Sequence, residues 1–210
     1  MNKDSDSRDP VARAASLVRI FSGAAEFGVL RSVAASQVPE PARSLLDHCS
    51  HMTVAMERHH GCDVRLRVVA QADGDHRPDS GPGSEPRRNE GWYAREILLE
   101  TPAGKIVLYG IVRIDLTNLD AATARAIREA RRPLGRILIE AGMLREVHGV
   151  KLLEIQPGWH LREVLRLPPL PAAGGAATAP LAASIYGRVA DIQLDGRPAV
   201  ELLEIVPPSA

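Results

Sequence analysis

Aromatic side chains are scarce here: two Trp, three Tyr and two Phe, 3% of 210 residues. So small a set cannot build the stacking platform on which proteins hold single-stranded nucleic acid. Neither sign of charge is in excess. Lys plus Arg and Asp plus Glu each number 26, which leaves no basic footprint for a polyanion. Cysteine is nearly absent. Cys49 and Cys62 cannot form a disulfide framework, and two reduced thiols are the ordinary reading. No apolar run approaches the ~18 residues of a membrane span. The opening MNKDSDSRDP lacks the basic-then-apolar order of a secretory signal. These absences predict a cytoplasmic chain with no membrane insertion and no nucleic-acid partner. Lysine occurs only as Lys3, Lys105 and Lys151, and no function is read from that bias.

What is present suffices for a core: 45% of residues are hydrophobic and 25% charged, the balance of an ordinary globular domain. Asp9-Pro10 is a helix start, since Asp caps and Pro suits the first helical position. Val11, Ala14, Leu17, Val18 and Phe21 follow at helical spacing. A further short helix is expected to about Ala35. Helices are predicted over 42–48 and 51–60, the second capped by Ser50 and closed by Gly61. In DVRLRVVAQ (63–71), Val64, Leu66 and Val68 alternate with arginines, the pattern of a half-buried strand. Residues 72–91 are almost all loop formers and predict a mobile connection.

Strands 92–100 and 105–116 form a hairpin around Thr101–Gly104, and helices follow over 121–130 and 134–141. Segments 143–156 and 159–167 read as strands around Pro157-Gly158. After a low-complexity stretch at 168–183, a last hairpin turns at Asp195-Gly196. Strands in consecutive hairpins, with helices early and in the middle, indicate α+β with an antiparallel sheet. KLLEI (151–155) and ELLEI (201–205) echo each other, but two copies do not make a repeat architecture.

No dinucleotide fingerprint, P-loop, nucleophile elbow or zinc-finger spacing occurs. A metal site can be drawn from His48, His51 and Cys62, yet no HExxH or paired CxxC supports it. No metal and no cofactor are expected.

Four phrases stand out in order: SLLDHCSHMTVAMERHHGCDVRLRVVAQ (44–71), WYAREILL (92–99), RRPLGRILI (131–139) and IYGRVADIQLDGRPAVELLEIVPP (185–208). Together they resemble the chorismate pyruvate-lyase (4-hydroxybenzoate synthase) family from about Leu45 to Pro208. The resemblance implies a single antiparallel β-sheet, with helices on one side covering a buried ligand pocket. It divides the chain into an N-terminal tail and helical extension (1–40) and a lyase-like domain (41–208). It implies conversion of chorismate to 4-hydroxybenzoate and pyruvate without a cofactor, with chorismate as the small-molecule partner. Position by position, it makes Arg95 the carboxylate-binding arginine and Met52, Thr53, Leu134 and Gly135 ligand contacts. Arg188 becomes a second cation and Glu204 the catalytic carboxylate, found by counting back from Pro208. Counting forward from Gly196 lands on Leu203 instead, which implies a bulge and leaves Glu201 as the fallback. The long N-terminus, the 72–91 loop and the sequence around 150–183 depart from the family pattern.

The residues carry part of this independently. Strand side chains alternate, so Arg95 shares a face with Ile97 and Leu99, away from Glu96 and Glu100. An arginine on an apolar face calls for an anion. The alternative to a lyase is a non-catalytic small-molecule-binding module of the same fold, as in the sensor domains of some bacterial transcription regulators.

Overall fold

The computed structural model describes residues 9–74, 91–117, 119–143, 145–168 and 184–208; of the expected loops, 75–90 and 169–183 lie outside them, while 72–74, expected as loop, are strand paired to 92–94. Helix α1 (Pro10–Val18) starts as predicted: the Asp9 carboxylate accepts the amides of Val11 and Ala12 at 3.3 Å, and Pro10 takes the first turn. A short α2 (Ala24–Phe27) leads directly into strand β1 (Gly28–Val33), and a 3₁₀ turn occupies Ala35–Gln37. The helix expected to continue to Ala35 is therefore a strand. Gly28, at φ +126°, breaks the helical path where a side chain would be strained.

Helices α3 (Ala42–Leu46) and α4 (Met52–His60) follow. Gly61 closes α4 in the left-handed conformation, but no side chain caps its start. Strands β2 (Arg65–Gly74), β3 (Trp92–Glu100) and β4 (Ile106–Asp115) make successive antiparallel pairs. Helices α5 (Ala121–Glu129) and α6 (Leu134–Glu140) come next, α5 capped by Asp120 at 2.9 Å. Strand β5 (Arg145–Pro157) then runs into helix α7 (Trp159–Val164). Residues 159–164 were expected as strand. Leu161 with Leu165 is an i, i+4 pair, both buried, and the helical face wins over the apparent alternation. Strands β6 (Ile185–Leu194) and β7 (Arg197–Val206) close the fold, with Asp195 and Gly196 both at positive φ in the turn.

The seven strands form one antiparallel sheet in the order β1-β5-β6-β7-β4-β3-β2. The α+β antiparallel architecture is thus as expected. Helices α3 to α6 lie over one face, packing on Leu99, Leu108, Val112, Ile192 and Leu202. The other face is covered too: Leu98, Ile111, Leu153, Val189, Leu203 and Ile205 meet Ala14, Leu17, Val18, Phe27 and Leu161 of α1, α2 and α7. The boundary expected at 40/41 separates β1 from the sheet in which it pairs with β5 from Gly28↔Pro157 to Val33↔Leu152. The phrases KLLEI and ELLEI lie on β5 and β7, which flank β6, offset by two residues (Leu153 and Ile205 both pair with Gly187), and send Leu153, Ile155, Leu203 and Ile205 into the same core.

Candidate functional site

Alternation along the central strands aims a set of side chains beneath α4 and α6. Strand β3 supplies Arg95, Ile97 and Leu99; β4 supplies Leu108 and Val112; β6 and β7 supply Arg188, Ile192, Leu202 and Glu204. The start of α4 (Ser50 to Thr53) and the start of α6 (Pro133 to Gly135) close over them, around a cavity of about 60 Å³. By comparison, one water needs roughly 10–15 Å³ on a similar measure. Of the residues singled out in the sequence, Arg95, Met52, Thr53, Leu134, Gly135, Arg188 and Glu204 all line this cavity.

Glu201 does not. It faces the opposite side of β7 and accepts from Arg113. The conflict between the two counting directions has a structural cause. Ile192 pairs with Val200 but Gln193 pairs with Pro198, so a bulge sits at Ala199. The count back from the C-terminus never crosses it.

The two arginines of the cavity differ. Arg188, 1% exposed, is fully engaged. Its Nε donates to Glu204 Oε2 at 2.7 Å, and Nη1 donates to the carbonyls of His48 (2.6 Å) and Leu46 (3.4 Å). Its Nη2 donates to the Ser50 carbonyl at 3.4 Å. One guanidinium thus fastens the α3–α4 connection to the sheet. Arg95 is equally buried, at 1% exposed, but its hydrogen bond to the Arg132 carbonyl is a long one, from Nη1 at 3.4 Å. Its Nε has no hydrogen-bond partner among the described residues. Burial pulls the Arg95 guanidinium below its ordinary range, with Tyr93 partly offsetting this, yet the group stays charged at any physiological pH. A buried, charged donor with an unused N–H is costly unless an anion meets it.

Two features had no clear sequence signal. One is the clamp of Arg188 on backbone carbonyls, because carbonyls are present at every residue. The other lies on the far face. Glu96, 1% exposed, accepts from the Tyr109 hydroxyl at 2.7 Å and meets His160 Nε2 at 2.8 Å. Alternation had already separated Glu96 from Arg95, but its partners come from β4 and α7. The drawn metal set does not assemble: His48 Nδ1 faces Ser50 and Arg188, and among the described residues no three His, Cys, Asp or Glu side chains gather as ligands. No described helix is long and apolar enough to cross a membrane.

No family profile matches this chain, and no curated protein matches it. Solved structures do. A ligand-binding domain from Bordetella bronchiseptica, ascribed to a GntR-family transcriptional regulator, is 13% identical with a TM-score of 0.49, over 70% of this chain and 86% of its own. The effector domain of PhnF from Mycobacterium smegmatis is 14% identical (TM-score 0.47; 75% and 88% covered), and PhnF from the same organism is 15% identical (TM-score 0.49; 94% and 95% covered). The expectation of a chorismate lyase with a biosynthetic role is not met: these similar structures are a regulator and ligand- or effector-binding domains of regulators. The expected general base, Glu204, is tied to Arg188, and the expected second cation, Arg188, is spent on Glu204 and three carbonyls.

Proposed function

We propose that this chain is a non-catalytic small-molecule-binding module whose ligand is a small, largely apolar monoanion, such as a ring carboxylic acid. The observation that carries this is the buried Arg95 Nε, without a hydrogen-bond partner among the described residues, in the wall of a cavity whose other two charged groups, Arg188 and Glu204, pair with each other. A carboxylate meeting that N–H would form a charge-assisted bond in a low-dielectric site. Ile97, Leu99, Val112 and Leu202 would take up the ligand's apolar body by removing its surface from water. Met52 and Leu134, from the two covering helices, would adapt to its outline. One guanidinium with an unsatisfied Nε–H matches one negative charge. A dianion such as chorismate would bring a second carboxylate toward Glu204, where the neighbouring cation, Arg188, is already paired.

The test is calorimetry with 4-hydroxybenzoate as probe, against its neutral amide. The acid should bind and the amide should bind far more weakly. Arg95→Ala should weaken the acid by roughly 30- to 1,000-fold. Arg95→Lys should restore only part, since an ammonium lacks the planar fork. Equal binding of acid and amide, or an unaffected Arg95→Ala, would overturn the assignment.

A further inference from the structure

His48 lies in the short segment between α3 and α4, which carries Ser50, His51, Met52 and Thr53 into the cavity wall. Its Nδ1 faces two N–H donors, the Ser50 amide at 3.1 Å and Arg188 Nη1 at 3.3 Å. Neither donor can exchange roles, because a backbone amide and a guanidinium both carry their hydrogens at any physiological pH. Nδ1 is therefore the bare nitrogen, and the ring is the neutral Nε2–H tautomer. The Nε2 end is buried without a partner.

A second proton on this ring would sit where the Ser50 and Arg188 hydrogens now point. It would also place two cations 3.3 Å apart. The charged groups facing His48 are Arg188 from β6 and Glu204 from β7; Asp47, Cys49 and His51 flank it on its own segment. Glu204 would attract the new charge, but that carboxylate is already 2.7 Å from Arg188 Nε.

We propose that His48 is a proton-sensitive latch on the cavity: neutral, it locks the α3–α4 segment against Arg188 and keeps the wall closed; protonated, it releases that segment. The latch is a property of the free protein. Its consequence for binding, weaker ligand capture in acid, rests on the cavity being the ligand site as proposed above. The sign follows from linkage. Burial, and then the Arg188 charge, hold the His48 imidazole below the usual histidine range, against an opposing pull from Glu204 and nearby backbone. The closed state therefore refuses a proton that the open segment accepts near pH ~6.5. Closure is complete above that pH and is lost as pH falls toward the lowered value. The opening is local, not global unfolding.

The experiment is residue-resolved amide hydrogen exchange between pH ~7.5 and pH ~5, with each rate divided by that of an unstructured chain at the same pH. Protection of the Ser50 amide should fall ~10- to 30-fold across this range, in step with the His48 ring titration followed by NMR. In His48→Asn, the side-chain oxygen stands where Nδ1 does and does not titrate, so protection should stay high and flat. In His48→Gln the acceptor is misplaced, and protection should be low at both ends. Wild-type protection that does not change with pH, or a parallel fall in His48→Asn, overturns the latch. So does low wild-type protection at pH ~7.5. Calorimetry with 4-hydroxybenzoate at both pH values is a separate arm. Its failure to bind at either pH would defeat the ligand assignment, while the exchange result still decides the latch.

Discussion

Arg188 and Glu204 form an ion pair whose side chains are 1% and 13% exposed, so each charge depends on the other. Removing one partner leaves a buried charge, which typically costs about 3–5 kcal/mol. Glu204→Leu should therefore lower stability by several kcal/mol in urea unfolding. Arg188→Met should do the same and also strip the carbonyls of Leu46, His48 and Ser50 of their donor. The double variant should recover part of the loss, because neither charge is then stranded; near-wild-type single variants would show that solvent reaches the pair and screens it. On the far face, Tyr109→Phe removes one donor to Glu96 and should cost about 1 kcal/mol. At this scale the sequence was informative wherever period-two alternation applied. It placed Arg95 with Ile97 and Leu99, away from Glu96, and the structure shows that arrangement. It was blind where a side chain is held by main chain. Nothing about Arg188 in IYGRVADI shows that three carbonyls from a connection more than a hundred residues earlier will surround it, and His48 stood out only as a would-be metal ligand.

Strand β1 and helix α7, the two elements read wrongly in sequence, meet each other. The Gly158 amide donates to the Phe27 carbonyl at 2.7 Å. A Cβ on Gly28 would lie 2.2 Å from the Gln156 carbonyl oxygen and 2.6 Å from the Gly158 nitrogen, and one on Gly158 would lie 2.3 Å from the Glu26 carbonyl oxygen. Two glycines thus let the α2–β1 corner and the β5–α7 corner cross with backbones in contact. Local pattern gave helix on to about Ala35 and strand after 158, because a six-residue element has too few repeats to separate the two periods. The choice between them is made by the crossing, which is a tertiary fact. Gly28→Ala should lower stability by about 3 kcal/mol or more, since overpacking and a forbidden φ act together. Gly104→Ala is the comparison. Its φ is +80° but no atom lies within 4 Å of the added Cβ, so only the ~1–2 kcal/mol of left-handed strain applies. Thermal melts of the two variants settle the point: equal losses would mean that the corner relaxes and the close approach is not needed.

Across the whole molecule, the sheet is sandwiched: α3 to α6 enclose the cavity on one face, and α1, α2 and α7 seal the other. The sealing layer does not line the cavity, yet the strands that present Arg95, Arg188 and Glu204 on one face present Leu98, Val189, Leu203 and Ile205 on the other. Baring that second face would expose these apolar side chains to water. A chain beginning at residue 41, the boundary expected from the sequence, would lose Ala14, Leu17, Val18 and Phe27, each no more than 2% exposed, together with β1 and its pairing to β5. It would also lose Arg13, which donates to Asp191 at 2.8 Å and to the Gly149 carbonyl at 3.0 Å. Full burial of a Leu, Val or Phe side chain is worth about 1.5–3 kcal/mol, and three such residues with the strand approach the ~5–15 kcal/mol that an average domain has in total. The fragment 41–210 should therefore be expanded and bind the dye ANS, with no cooperative thermal transition and no affinity for 4-hydroxybenzoate, although every cavity-lining residue is still present. A fragment that melts cooperatively within a few degrees of the full chain would show that the second face is dispensable and that the domain does begin near residue 41.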